Sequence, residues 1–554
     1  MDIQVDAALK PDAGKIVRYG PSRLYCPHLD RDNVIETDVL VLGSGAAGLI
    51  SALTAARECR VMVVTKLKME DSNTSYAQGG VASVFSPDDT LEGHITDTLN
   101  AGYGVCRRDV VELVVREGPA RIRELVKLGT HFDMVGNGDF NLTREGGHSS
   151  RRILHALGDR TGSEIERSLC DAVRSNSRIT VMESTFAIDL LVEGGNCLGA
   201  LVLTPDRKFA VVSARSTIIS TGGFCQVYRE TSNPETATGD GIAMAYRAGA
   251  RIEDMEFVQF HPTTLYMAGA PRFLITEAAR GEGAFLLNVH LERFMPRYSP
   301  QAELAPRDVV SRAILAEAER TRSSSVFLDM RHLGPMKVRE RFPQVTRVLA
   351  DYGLDIGTDL IPVFPSAHYS IGGIKVDTTT RTTVGRLFSC GEAAATGFHG
   401  ANRLGSNSLL ESLVFGEIAG QNAAVEALES AHSPAPMILA VCESGEKVDS
   451  AFPDVEMDIA DARNSLKSLM WRHCGIVREE AGLEEALSKI KQWARYMVYR
   501  RFTTLNGWEL QNLLMVARLV VDAALTRTES RGVHFRREYQ KPDPDWQRHI
   551  YLER

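Results

Sequence analysis

Apolar positions along this chain follow two rhythms. Short unbroken apolar runs stop abruptly on glycine, and longer segments carry apolar residues every three or four positions. The first pattern predicts strands buried on both faces, the second helices. DVLVL (38–42) runs into GSGAAG, the helical stretch AAGLISALTAARE follows, and RVMVVT supplies a second strand. STIISTGGF (216–224) and GRLFSCGEAAATG (385–397) repeat the strand-then-glycine theme, the latter predicted to open a small-residue helix. TGSEIERSL predicts a helix start with a capping box, Ser163 with Glu166. SAHSPAP (430–436) reads as a linker, and helices are predicted beyond it near 457–470, 481–500 and 508–526.

Gly43, Gly45 and Gly48 stand in G-x-G-x-x-G spacing between a strand and a helix, the context in which this motif binds a dinucleotide pyrophosphate. An acid would hold the ribose of NAD about twenty residues on, but Thr65-Lys66 stands there. SNTSYAQGGVASVF (72–85) contains a Gly-Gly pair that reads alone as a turn. Three strand-to-glycine turns far apart in sequence point to one large cofactor on a discontinuous domain, and FAD fits better than NAD. Glu392 in the third turn either caps a helix or accepts hydrogen bonds from a polyol chain.

Composition adds exclusions. Over 554 residues, apolar types make up 44% and charged types 24%, with a net charge of -8, which argues against general binding to nucleic acid or a membrane surface. No run approaches the roughly 18 apolar residues of a membrane span, and the N-terminus does not have the layout of a secretory signal. The nine cysteines are scattered without a C-x-x-C pair, so zinc ribbons and iron–sulfur clusters are not expected, and a reducing cytoplasm is.

SYAQGG, TGDGIAMAYRAGA, FHPT, TEAARGEG, ELAPRD, AHYSIGG and HGANRLGSNSLLE occur in this order between about residues 36 and 535. In this the chain resembles the succinate dehydrogenase/fumarate reductase flavoprotein family. The resemblance implies an α/β fold with a Rossmann-like FAD-binding domain, interrupted by an α+β capping domain and followed by a C-terminal helical bundle. The implied boundaries are an extension at 1–35, the FAD-binding domain at 36–254 and 370–436, the cap at 255–369 and the helical domain at 437–554. The implied FAD site is Gly43, Ser44, Gly45, Ala46, Ala47, Gly48, Lys66, Asn73, Thr74, Ser75, Tyr76, Ala77, Gln78, Gly79, Gly80, Phe186, Ala187, Asp240, Glu392, Ser408 and Leu409. Members that attach FAD covalently carry a histidine five residues before the glutamine of SYAQGG. Asn73 stands there, so noncovalent FAD is expected.

A four-carbon dicarboxylate entering a closed site needs both carboxylates matched, and arginine's bidentate fork does this best. Arg403 is the expected clamp, with a helix-end pair to Glu411 as its alternative. His261, His368, Thr276, Glu277 and Arg280 are carried over from the family motifs as substrate-binding groups. Arg307 is carried over as the catalytic residue, since relatives that reduce fumarate use the matching arginine for proton transfer. Glu145 falls where respiratory relatives carry an apolar aromatic residue. It would receive a substrate ammonium, unless it pairs with Arg144 or Arg151. The resemblance is therefore nearest to members that oxidise L-aspartate to iminoaspartate by hydride transfer to FAD. Their acceptor is O2, giving H2O2, or fumarate, and a quinolinate synthase takes the product toward NAD. The alternatives are a respiratory flavoprotein subunit, with an iron–sulfur partner, and a flavin-binding protein without turnover. No docking surface for a partner is readable, and residues 1–35 suggest no function.

Overall fold

The computed structural model describes residues 15–16, 20–25, 27–136, 138–430, 434–443, 458–498 and 500–554. The predicted apolar runs form its central sheet. Strands Ile179–Met182, Val61–Val64, Val34–Leu42 and Phe209–Ile219 lie side by side in parallel, and Asn196–Leu203 and Phe186–Glu193 extend the sheet antiparallel. Leu387–Ser389 joins Phe209–Ile219 in parallel, so a strand distant in sequence completes the same sheet. Val39 to Leu42 are all buried, as expected of a run covered on both faces.

The helix Ala46–Ala55 packs on this sheet and against a long helix, Asn407–Glu429. Their approach depends on small residues: a Cβ on Gly416 would lie 2.7 Å from the Ala47 carbonyl, and one on Gly420 would lie 2.5 Å from that of Ser51. A second, antiparallel sheet of Val258–Leu265, Ile361–Ser370, Val326–Asp329 and Phe285–Leu287 carries the helix Arg307–Thr321 and has its own apolar core. Helices Ile459–His473, Glu480–Met497 and Leu505–Thr526 pack on one another near their predicted positions. Among the described residues, no helix is long and apolar enough to cross a membrane.

Three local expectations are corrected. The helix at Thr161–Arg174 starts two residues before Ser163, and Glu166 is buried, accepting a hydrogen bond from Ser72 at 2.9 Å, so there is no capping box. After Cys390 the chain makes a single 3-10 turn, Gly391–Ala393, and then a two-residue strand, not a helix. In that turn Glu392 accepts from Ser370, not from a helix end of its own. The expected linker lies partly outside the described residues, and its last two positions already belong to a helix, Ala435–Glu443. Part of the N-terminal extension is structural: Leu24, Tyr25 and Leu29 are buried against Trp508, and Tyr25 stacks on Phe209 with centroids 4.6 Å apart. Lys15–Ile16 pairs with the C-terminal strand Tyr551–Glu553.

Candidate active site

Parallel strands end together, so the four turns at their C-terminal ends meet. Gly43–Ser44–Gly45, Thr65–Lys66, Ser220–Thr221–Gly222 and Gly391–Glu392 line one side of a long cavity. That edge is where open α/β sheets bind ligands. A Cβ on Gly48 would lie 2.2 Å from the Gly43 carbonyl, so the third glycine of the motif serves the strand–helix contact and does not line the cavity. A Cβ on Gly223 would meet Glu392 Oε1 at 2.2 Å, so that glycine lets the acid come in. Glu392 accepts from the Ser370 N–H at 2.9 Å and from Asn73 Nδ2 at 3.3 Å.

Apart from Gly48 and Ser75, all the residues expected at FAD line this cavity. Ser75 turns away and donates to the Glu70 carbonyl. Lys66 Nζ donates to Glu509 at 2.6 Å, Asp240 at 2.8 Å and Thr238 at 2.9 Å. Glu509 and Asn512, which donates to Asp240 at 2.7 Å, tie the last helix to the cofactor wall. The fit to a dinucleotide is supported by polar atoms left open along the cavity. Asn73 Oδ1, Gln78 Oε1 and Thr221 Oγ1 are buried without a hydrogen-bond partner, which is costly unless a ligand meets them.

The far end of the cavity gathers the cationic set. His261, Thr276, Glu277, Arg307, His368, Arg403 and Glu145 all line it. Arg307 opens its helix after Pro306 and donates from Nε to Glu277 at 2.6 Å and from Nη1 to Gln259 at 3.0 Å. Gln259 Nε2 in turn donates to the Arg403 carbonyl at 2.7 Å, so one amide holds both arginine-bearing segments. The Arg403 guanidinium lies over the Tyr369 ring, 4.5 Å from its centroid, and donates to Ser408 at 3.1 Å, while its Nε has no partner. Glu411, the alternative partner, is taken by Tyr369, Thr396 and His399. Arg280 stands behind this set. It donates to the Glu303 carbonyl and lies 3.0 Å from Glu277, outside the cavity lining.

Glu145 is 3% exposed, and neither Arg144 nor Arg151 meets it. Its Oε2 accepts from Ser406 at 2.7 Å, and its Oε1 has no partner. Ser406 sits at φ 60°, a left-handed conformation that a serine adopts only when its surroundings hold it there. Burial, and then the neighbouring Glu277 charge, push the Glu145 carboxyl above its ordinary range. Burial pushes Glu277 the same way, but Arg307 and Arg280 more than offset it and hold Glu277 low. Burial and the arginines keep His261 and His368 neutral, well below the usual imidazole range. Arg403 is lowered to about 10, by burial first and by Arg307 second.

Residues 38–409 match the FAD binding domain family, and 463–554 match the family described as fumarate reductase flavoprotein C-term. The chain belongs to the succinate dehydrogenase/fumarate reductase flavoprotein family. This flavoprotein is similar to L-aspartate oxidase of Streptomyces coelicolor, 41% identical over 94% of this chain and 91% of the relative. It is 42% identical to L-aspartate oxidase of Pseudomonas aeruginosa, over 91% and 96% respectively. Among solved structures it resembles E. coli quinol fumarate reductase FrdA, with a TM-score of 0.87 and 31% identity over 94% of each chain. Mycobacterium smegmatis Sdh1 aligns with a TM-score of 0.81 and 34% identity, over 93% of this chain and 91% of that one.

Gln259, Ser406 and Glu509 escaped the motif reading of this flavoprotein. Gln259 was the most accessible of them, since it lies two residues before His261 in one strand and side chains repeat every second residue. Nothing in the order of residues joins Glu509 to Lys66, 443 positions away.

Proposed function

We propose that this flavoprotein oxidises L-aspartate to iminoaspartate, with residues 255–369 capping the FAD-binding domain. The observation that carries the reading is Glu145, a buried acid with one oxygen unpaired beside two buried arginines. Arg307 and Arg403 suit two carboxylates. The unpaired carboxylate oxygen suits an ammonium, which succinate does not have.

When bound, FAD supplies the two-electron acceptor for the hydride leaving the substrate Cα. The chain supplies position and charge. Arg403 and Arg307 grip the carboxylates, and neutral His261, whose Nε2 is unpartnered, donates a further hydrogen bond. Glu145, once ionised, fixes the amine and so decides which face of Cα is presented. Holding reacting atoms about 3–3.5 Å apart is the main contribution such a site makes. Oxidation removes two electrons and two protons, as the C–N single bond becomes C=N. O2 takes them to give H2O2, or fumarate takes them to give succinate. Arg307, ion-paired to Glu277, which Arg280 also meets from behind, is placed to exchange the proton with the fumarate carbon.

Asn73 at the position of the covalent attachment supports noncovalent FAD, and acid precipitation should leave the flavin in the supernatant. The eight described cysteines are free thiols, which supports a cytoplasmic setting. Iminoaspartate hydrolyses readily, which supports prompt hand-over to a quinolinate synthase on the way to NAD. The reading is tested by anaerobic bleaching of the flavin with L-aspartate and with succinate. Bleaching by L-aspartate, followed by peroxide on aeration, is expected, whereas bleaching by succinate alone would make this a respiratory-type subunit.

A further inference from the structure

The substrate side chains stand between two cavities. Glu277, Arg307 and Arg403 line the cofactor cavity and also a second cavity, of about 560 Å³, on their other side. The partition is thin: a Cβ on Gly405 would lie 2.9 Å from Glu145 Oε2, 3.1 Å from Glu277 Oε2 and 3.3 Å from Arg307 Nη2. The second cavity is walled by the end of the 91–101 helix, the 144–149 loop, the 301–307 turn and the 402–405 loop. Its rim is in water, with Asn100, Arg144 and Gln301 exposed. Among the described residues nothing pairs with the Arg144 guanidinium. Both acids in the wall are engaged, Glu277 by Arg307 and Arg280, and Asp97 by Arg152 at 2.5 Å and by Ser149 at 2.8 Å.

We infer that this second cavity is a standing passage by which four-carbon dicarboxylate anions reach and leave Arg307 and Arg403 while FAD fills the first. The inference rests on the proposed function. A dinucleotide held by its expected residues would occupy the first cavity, on one side of these side chains. The second cavity joins the same guanidinia to solvent in this conformation, without movement of one sheet against the other. Its charges suit the cargo: a free cation marks the rim, the two acids in the wall are neutralised by their partners, and two arginines form the floor. A cleft lined in this way concentrates anions and raises their rate of encounter, an effect that salt screens.

The test is stopped-flow mixing of oxidised holoenzyme with fumarate, following the perturbation of flavin absorbance. Asn100→Trp and Gln301→Trp narrow the rim, and Arg144→Glu reverses its charge; none of the three touches the substrate set. Each tryptophan should slow association and dissociation together, by about fivefold or more, with their ratio unchanged. Arg144→Glu should slow association alone, and at low ionic strength alone. Wild-type rates in all three variants overturn the passage while leaving the oxidase reading intact. Protein that neither oxidises L-aspartate nor binds fumarate overturns both. Should a tryptophan variant lose FAD, the Arg144→Glu salt dependence decides, since that side chain supports no described contact.

Discussion

Glu145→Gln separates recognition of the amine from recognition of the carboxylates. The substitution preserves shape, and the amide oxygen still accepts from Ser406, now 2.7 Å from Glu145 Oε2. What it removes is the negative charge facing an ammonium in a buried site. Truncating one side of a buried, hydrogen-bonded charge pair costs about 2–5 kcal/mol, which is roughly 30- to 5,000-fold in rate or affinity at 1.36 kcal/mol per decade. An amide that keeps its hydrogen bond belongs toward the lower end. Steady-state oxidation of L-aspartate should therefore lose about 30-fold or more in kcat/KM, most of it in KM. Fumarate has no ammonium, and its reduction by the same variant should change by about twofold or less. Equal losses for both substrates would refute the ammonium assignment and leave Glu145 a structural acid.

Arg307→Leu should keep FAD bound and lower turnover by about 100-fold or more, the usual scale for a positioned proton-transfer group; flavin absorbance and steady-state rates check both. Gln259→Leu should give a milder loss, visible in kcat and KM together, because it frees Arg307 and the 403 segment without removing either cation. The folded Glu145 carboxyl titrates above its unfolded value, so the stability it costs is absent in acid and appears as pH rises. Glu145→Gln should thus raise the Tm of substrate-free holoenzyme at neutral pH and lose that advantage in acid. The kcat/KM for L-aspartate should fall on the acid side at a pH above the ordinary carboxylate range, and Glu145→Gln should abolish that limb. No limb near 6.5 is expected from His261 or His368, which are neutral throughout.

Motifs carried the reading where the chain folds locally. A strand ending on Gly43 is visible in sequence because the glycine, the strand and the helix are neighbours. The capping box at Ser163 failed because tertiary packing claimed Glu166 for Ser72 and started the helix earlier. The small-residue run after Cys390 looked helical, yet Ala394–Ala395 pairs with Gly373–Lys375, and that pairing overrides alanine's preference for helix. Arg280 matched its motif but stands behind Glu277, outside the cavity lining, since helix position does not fix which side of a cavity a side chain occupies. The partners of Lys66 and Arg307 were invisible for a simpler reason: they come from segments brought together only by the fold.

On the proposed function, the same site holds a dicarboxylate in one half-reaction and an amino acid in the other, and the two carboxyls account for both. Glu277 is committed: Arg307 and Arg280 keep it ionised whichever substrate is present. Glu145 is not, because burial and Glu277 raise its proton affinity by more than Ser406 and the charges of Arg307 and Arg403 oppose it. An arriving ammonium supplies the missing opposite charge and drives the proton off. An arriving fumarate brings two further negative charges, so Glu145 keeps its proton and donates a hydrogen bond instead. On this reading, one titratable acid lets the same cationic clamp serve both ligands.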